Sequence, residues 1–274
     1  MNERVARHYE KADIVAVIEG ALRAAGKDPA NLEPADLAPV DEFHVRGRTA
    51  TKELAGRLGV DGTMHVLDVG SGLGGPSRLL AAEYGCRVSG IDLTAAYCEA
   101  AAVLAGWVGL DGLVSYRQGD ALDLPFDDNA FDAAWTIHAA MNISDKPRMY
   151  AEVRRVLRPG GRFAVYDVLQ GAGGEAFYPA PWARHPSISF LVTPDELRAL
   201  LAEAGFAITG WRDTTELGRD WFRQVAARLS GGGPPPLGFH LLLGEGFAEM
   251  AGNQRRNLEE NRIAMIEAVC EKPG

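Results

Sequence analysis

The sequence predicts an α/β fold: a doubly wound, mostly parallel sheet of seven strands, with helices ahead of it and a helical cap inserted before the last strand. Three observations carry this. Between Thr63 and Leu169, apolar β-branched runs alternate regularly with helical spacing. The first run, Val66-Leu67-Asp68-Val69, opens into Gly70-Ser71-Gly72-Leu73-Gly74-Gly75 and then Pro76, the pattern of a buried strand turning into a helix. Asp68, Asp92, Asp120, His138 and Asp167 all fall at or just past predicted strand ends, the edge at which such sheets bind ligands.

Ahead of the sheet, Glu3 to Ala25 carries apolar residues at helical spacing, with Gly26 as the stop. Pro29, Pro34 and Pro39 then punctuate a loop ending in Asp41-Glu42-Phe43-His44-Val45-Arg46-Gly47, and a second helix runs from about Thr49 to Leu58. Strands are predicted near 63–69, 86–92, 114–119, 131–138 and 162–169, with helices over about 76–84, 94–107 and 146–157. Gly85 suits a helix C-cap, and Arg158-Pro159-Gly160-Gly161 suits a tight turn before the fifth strand.

Beyond Leu169 the rhythm changes. Gly171 to Phe190 is a long connection rich in proline and aromatic residues, which predicts a lid, since loops of this length in compact domains are usually functional. Thr193 caps a helix with Asp195 and Glu196 in its first turn, ending near Gly205. A strand at Phe206 to Thr214 follows, then a helix at Gly218 to Leu229 and a linker or hinge at Gly231 to Pro236. Further helix within Leu237 to Leu258 precedes a final strand at Arg262 to Glu271. The last two strands thus enclose a helical insertion that caps the ligand edge.

Composition narrows the function classes. Apolar content of 47% and charged content of 24% suit a soluble globular chain. A net charge of −9 opposes a nucleic-acid partner, because phosphate binding calls for a basic face. Cys86, Cys98 and Cys270 are scattered and odd in number, without metal spacing, which fits reduced thiols in a cytoplasmic protein and no metal site. The sequence has no apolar run of membrane-spanning length and no signal-peptide core, so a cytoplasmic location without membrane attachment is expected. It leaves the oligomeric state open, a homodimer included.

The glycine turn by itself suits two ligands. Gly70, Gly72 and Gly75 fit the dinucleotide fingerprint, and Asp92 lies where its ribose-binding acid belongs. Asp68, two positions ahead of the first glycine, discriminates. A carboxylate beside a pyrophosphate faces like charge, whereas beside an ammonium it is stabilising. S-adenosylmethionine carries an ammonium, a sulfonium and a ribose but no phosphate, so this pattern favours it over NAD.

Four stretches together resemble the class I S-adenosylmethionine-dependent methyltransferases. Asp68-Val69-Gly70-Ser71-Gly72-Leu73-Gly74 is similar to their first motif, and Gly90-Ile91-Asp92-Leu93 to their second-strand acid. Gly119-Asp120-Ala121-Leu122-Asp123-Leu124-Pro125-Phe126 resembles the adenine-contacting motif, and Phe131-Asp132 through Leu157-Arg158-Pro159-Gly160-Gly161 the stretch into the fifth strand. Gly72-Leu73-Gly74-Gly75-Pro76, Asp92-Leu93-Thr94 with Tyr97-Cys98, and Met141 to Lys146 are similar to a sarcosine/dimethylglycine methyltransferase-like or quinone-biosynthesis-like branch. Pro181-Trp182-Ala183 and Ser187 to Leu191 add to that likeness.

The resemblance implies a Rossmann-like methyltransferase fold with S-adenosylmethionine as cofactor and S-adenosylhomocysteine as product. It divides the chain into an N-terminal helical cap (1–60), a cofactor-binding core (61–170) and a lid loop, C-terminal helices and last two strands (171–274). Asp68, through backbone or water, with Gly70, Ser71 and Gly72, would hold the methionine moiety, Asp92 the ribose hydroxyls, Leu93 the adenine face, and Gly119, Asp120, Ala121 and Leu122 the adenine edge. His138 would sit where the methyl is presented, either as a general base or as a histidine bonded to cofactor or backbone. Asp167 matches an acidic catalytic position of sugar O-methyltransferases, with a structural acceptor for loop N–H groups as the alternative.

The substrate side is thinner. His44, Asn142, Tyr178 and Trp182 are candidates, with His44 more readily a surface residue and Asn142 a residue that orders the loop after the fourth strand. Trp221, Phe222 and Phe239 suit either the acceptor pocket or core packing. Arg46 or Arg184 would pair a substrate carboxylate if there is one. The expectation is a methyltransferase that moves a methyl group to an N or O atom of a small-molecule acceptor by in-line displacement. An NAD(P)-dependent oxidoreductase and a non-catalytic S-adenosylmethionine-binding protein are the alternatives.

Overall fold

The computed structural model describes residues 13–229 and 235–274. The first turns expected for the leading helix and most of the Gly231–Pro236 linker lie outside the described residues. Helix α1 (Ile14–Ala24) is capped by Asp13, whose side chain accepts from the N–H of Ala16. The proline-punctuated stretch expected as loop is in part a helix, α2 (Pro34–Asp41). Pro34 occupies the first turn, where no N–H is required, and Glu33 and Asp36 cap each other's backbone reciprocally. Those caps outweigh the bond that Pro39 removes from the helix interior. Helix α3 (Gly47–Leu58) ends at Gly59 in the left-handed region.

The sheet follows in the expected alternation: β1 (His65–Val69), α4 (Gly75–Tyr84), β2 (Arg87–Asp92), α5 (Ala95–Trp107), β3 (Val114–Gln118), β4 (Phe131–Ile137), α6 (Lys146–Val156) and β5 (Leu157–Gln170). Then come α7 (Pro194–Glu203), β6 (Ala207–Asp213), α8 (Thr215–Leu229), α9 (His240–Leu243), α10 (Phe247–Glu259) and β7 (Ile263–Glu271). Strand order is β3-β2-β1-β4-β5-β7-β6, with β7 antiparallel to both neighbours and the other pairings parallel. Order reverses between β1 and β4, so the crevice above their carboxyl ends is the ligand edge.

Alternate residues of the central strands feed two cores, one on each face. Val66, Ala133, Trp135, Ala164 and Tyr166 face one side, and Leu67, Val69, Ala134, Phe163 and Val165 the other. Both faces are covered, which is why these strands read as apolar runs. Two boundaries differ from expectation. The Arg158–Gly161 turn is absorbed into β5 as an irregularity, where register steps from Phe131↔Leu157 to Ala133↔Arg162. At its other end β5 outruns β4, because β7 keeps pairing with it from Arg162↔Glu271 to Gln170↔Ile263. No helix among the described residues is long and apolar enough to cross a membrane.

The segment after α2 is strapped over the glycine turn. Arg78 of α4 donates to Asp41 at 2.5 Å in a pair that is almost wholly buried. Gly75 allows the approach: a Cβ there would lie 2.5 Å from the Asp41 carbonyl oxygen. The strap continues through Thr51, whose hydroxyl donates to Glu42 at 2.6 Å. Burial, with Asp41 beside it, raises the Glu42 carboxyl to about 8.

Arg78→Leu leaves Asp41 buried without its cation and should cost about 3–5 kcal/mol in urea unfolding. Glu42 titrates higher folded than unfolded, so its stabilising contribution is complete below its ordinary value of 4.5 and disappears as pH rises through about 8. Glu42→Gln keeps an acceptor for Thr51 without that titration. The fall in Tm between about pH 6 and pH 9 should therefore be shallower in the variant than in the wild type.

Candidate active site at the switch point

Two cavities meet above the carboxyl ends of the central strands. The first, about 160 Å³, is lined by the turns after β1, β2, β3 and β4: Gly70 to Leu73, Asp92 to Thr94, Gly119 to Leu122, and His138 with Ala139. The second, about 280 Å³, lies among Trp182, Trp221, Phe222, Phe239 and Phe247. Phe43, His44 and His138 line both and form the junction between them.

In the first cavity the glycine turn is welded to β2. The N–H groups of Gly70 and Ser71 both donate to the Ile91 carbonyl, at 2.8 and 3.0 Å. Gly72 donates to Asp92 Oδ2 and Thr94 to Asp92 Oδ1, each at 2.9 Å. Gly70 adopts φ 80, and a Cβ there would strike the Ala139 side chain. The turn therefore does not offer these donors to a phosphate, as its glycine pattern suggests, and a carboxylate stands where a pyrophosphate would need them. This geometry opposes the dinucleotide reading on physical grounds.

Asp68 does not present its carboxyl directly to the cavity. Its carboxyl is buried beneath the turn, accepts from Ser77 at 2.6 Å, and is absent from the cavity lining. Burial raises it to about 7. Asp41 lines the cavity instead, and its buried Oδ1 has no hydrogen-bond partner. The buried hydroxyl of Ser71, another lining residue, is also without one. Asp92 faces the cavity and is raised by burial, against the pull of the Thr94 and Gly72 N–H groups. Asp120 accepts from the Leu122 N–H at 3.0 Å, shaping the turn that brings Ala121 and Leu122 to the wall beside Leu93. A ribose and a flat base fit this donor set: a carboxylate retains acceptor sites for two hydroxyls, and an apolar wall stands beside it.

At the junction, His138 follows the last residue of β4 with φ 49, an uncommon conformation for a side chain of this size. Its N–H donates to the Tyr166 carbonyl at 2.8 Å, and its Nε2 is buried without a partner. Burial, with His44 nearby, holds its imidazole well below the ordinary histidine value. Its ring lies 4.7 Å from that of Tyr166 and 5.8 Å from that of His44. His44 is not a surface residue but 5% exposed, and burial lowers it to about 4. Its Nε2 sits 3.1 Å from the Gly47 carbonyl and 3.0 Å from the Thr51 hydroxyl. Because a carbonyl only accepts, Nε2 is assigned the hydrogen and Nδ1 the lone pair. Tyr166 pins this segment by donating to the Val45 carbonyl at 3.1 Å.

Other expected positions lie elsewhere. Asp167 pairs with Ile266 inside the sheet, is 1% exposed and lines neither cavity, since β7 extends β5 past it. Burial raises its carboxyl while nearby Lys146 opposes this. The Lys146 ammonium donates to the carbonyls of Ala140, Ile143 and Phe190, which makes the pair a brace for the loop after β4. Asn142 lines the first cavity rather than the second and donates to the carbonyls of Trp182 and Ile188, both at 2.8 Å. Trp182 lines the second cavity, while Tyr178 lines neither and packs edge-on against Trp182. Trp221, Phe222 and Phe239, open to a core reading, stand on the wall of the second cavity. Arg46 is held by Glu53 and faces Glu267, and Arg184 donates to the carbonyls of Leu243 and Glu245, so neither is offered to a substrate.

Comparison with known proteins agrees with this geometry. Residues 67–165 match the Methyltransferase domain family. The chain is 33% identical over 198 residues to O-methyltransferase resE of Aspergillus sclerotiorum, covering 71% of this chain and 72% of that one. It is 30% identical over 180 residues to the sarcosine/dimethylglycine N-methyltransferase of Halorhodospira halochloris, covering 66% and 64%. The fold superposes with a TM-score of 0.72 on a geranyl diphosphate C-methyltransferase from Streptomyces coelicolor A3(2), in complex with Mg2+, geranyl diphosphate and S-adenosyl-L-homocysteine, at 20% identity over 99% of this chain and 97% of that one. These three names span O, N and C acceptors, so kinship does not choose among them. It does settle the donor against NAD: the chain belongs to the class I S-adenosylmethionine-dependent methyltransferases and takes S-adenosylmethionine as its cofactor.

Proposed function

We propose that this methyltransferase acts on a hydroxyl oxygen of a small-molecule acceptor by in-line displacement. The observation that carries the reading is the junction: His138, whose buried Nε2 has no partner, lines both the donor and the acceptor cavity. When bound, S-adenosylmethionine supplies an electrophilic methyl on a sulfonium whose C–S electron pair stays with sulfur, leaving neutral S-adenosylhomocysteine. The acceptor oxygen forms the new C–O bond, and His138 Nε2 takes the hydroxyl proton. A weakly basic imidazole suffices, because a hydroxyl oxygen becomes strongly acidic as it is alkylated, so the proton moves late. Phe43 and the buried His44 close the junction against water, and most of the remaining contribution is orientation. A relative named as an O-methyltransferase supports the choice of oxygen.

On the donor side, Asp92 would accept from the ribose hydroxyls, and Leu93, Ala121 and Leu122 would pack on the adenine held by Asp120. Asp41, through its unpartnered Oδ1, would meet the methionine ammonium in place of the covered Asp68. Residues 61–170 act in this reading as the cofactor core, with the N-terminal strap and the segments after 170 covering it.

Asp92→Asn should raise the Kd for S-adenosylhomocysteine about 10- to 100-fold by calorimetry, from weakening charge-assisted bonds. His138→Asn keeps a residue tolerant of positive φ and should bind S-adenosylmethionine normally while losing about 10²- to 10⁴-fold in kcat with a hydroxyl acceptor. Undiminished kcat in this variant, or turnover of amines but not of hydroxyls, would overturn the reading. Cofactor binding with no S-adenosylhomocysteine formed from any acceptor would point to the non-catalytic alternative.

A further inference from the structure

The second cavity has an unusual polar balance. Aromatic and aliphatic side chains make most of its wall, and among the described residues no carboxylate lines it. Among the described residues Arg255 is its one lining residue with a formal charge, and that guanidinium pairs with Glu259 at the surface. Arg46 and Arg184 are engaged elsewhere. A carboxylate-bearing substrate such as an N-methylated amino acid would be desolvated there without a cation, which is strongly unfavourable.

One polar side chain in the wall lacks an explanation within the protein. Gln254, on α10, is 2% exposed, lines the cavity, and has a buried Oε1 with no hydrogen-bond partner. Its neighbours on the same helix are satisfied: Asn253 donates to the Pro179 carbonyl at 2.9 Å, and Asn257 both accepts from and donates to the Phe177 backbone. Those two amides fasten the 171–193 connection onto α10. Gln254 fastens nothing through Oε1, and an unmet buried acceptor in an apolar wall is destabilising in the free protein.

Resting on the O-methylation reading above, we infer that the acceptor is an uncharged, largely apolar ring system with two hydroxyls, one presented to His138 and the other bound by Gln254. A hydroxyl is the group that answers Gln254 in either amide orientation, since it both donates and accepts. Flat rings suit walls built from Trp182, Trp221, Phe222 and Phe239 through stacked and edge-on contacts. The inference makes Gln254 a specificity-determining residue and sets this chain apart from relatives that methylate small zwitterions.

The test uses the whole protein saturated with S-adenosylhomocysteine and reads quenching of tryptophan fluorescence, since Trp182 and Trp221 line the cavity. The probes are 2-naphthol, the dihydroxynaphthalene isomers and sarcosine. At least one diol should bind roughly 3- to 10-fold tighter than 2-naphthol, the worth of one added hydrogen bond. Gln254→Leu and the longer Gln254→Met should erase that advantage while leaving 2-naphthol binding unchanged, and sarcosine should not compete. Equal affinity of all diols and 2-naphthol for the wild type, a diol advantage that survives in either variant, or competition by sarcosine would each overturn the inference. The wild-type comparison decides even if neither variant folds. Because binding is read with product in place, such a failure is separate from failure of the methyl-transfer reading, which is judged by release of S-adenosylhomocysteine.

Discussion

The site depends on a short weld between the first two strands. The Ile91 carbonyl takes the N–H groups of Gly70 and Ser71, and the Asp92 carboxylate takes that of Gly72. This fixes the turn without any ligand and spends the donors that an open glycine loop would offer to phosphate. It also holds Asp92 with both oxygens already bonded to backbone, so the carboxylate reaches the cavity in one orientation. The lone pairs left over are acceptors suited to hydroxyls. Ligand choice thus follows from where the backbone hydrogen bonds go, more than from the glycine spacing.

A second layer comes from outside the sheet. The strap after α2 is held by Arg78 to Asp41, by Thr51 to Glu42, and by Tyr166 to the Val45 carbonyl. These three attachments reach α4, α3 and β5, so Phe43 and His44 are fixed relative to both halves of the sheet. Together with His138, held at positive φ by its bond to the Tyr166 carbonyl, they make a narrow contact point between two cavities. The cost of burying an unpartnered imidazole nitrogen and a left-handed histidine is borne where it can orient an incoming group.

Much of this was legible in the residues. The central strands β1, β4 and β5 were clear because both of their faces are buried, giving nearly continuous apolar runs, while β3 at the sheet edge is largely exposed. Helix α7 was clear because Thr193 and Glu196 cap it reciprocally. Helix α2 was hidden because Pro34 and Pro39, following Pro29, read as breakers, although Pro34 occupies the first turn. Asp167 looked like a strand-end acid because the end of β5 is set by an antiparallel partner far later in the chain, at Asp167↔Ile266 and beyond. Asp68 carried the right chemical signal, but only packing reveals that Ser77 and the turn cover it.

The sequence by itself determined the doubly wound sheet, its ligand edge, and the class of methyl donor, because period, glycine placement and strand-end acids are local properties. Tertiary structure decided which polar side chains face the ligands. Asp41 sits at the end of a proline-marked helix and Gln254 in the middle of an amphipathic one, and neither has a sequence signature that separates it from a solvated residue. Their exposure to a cavity depends on how those helices settle against the sheet. The glycine-rich turn and the strand-end acids together point to the donor, whereas the packing of helix α10 over the carboxyl edge decides which of its side chains line the second cavity.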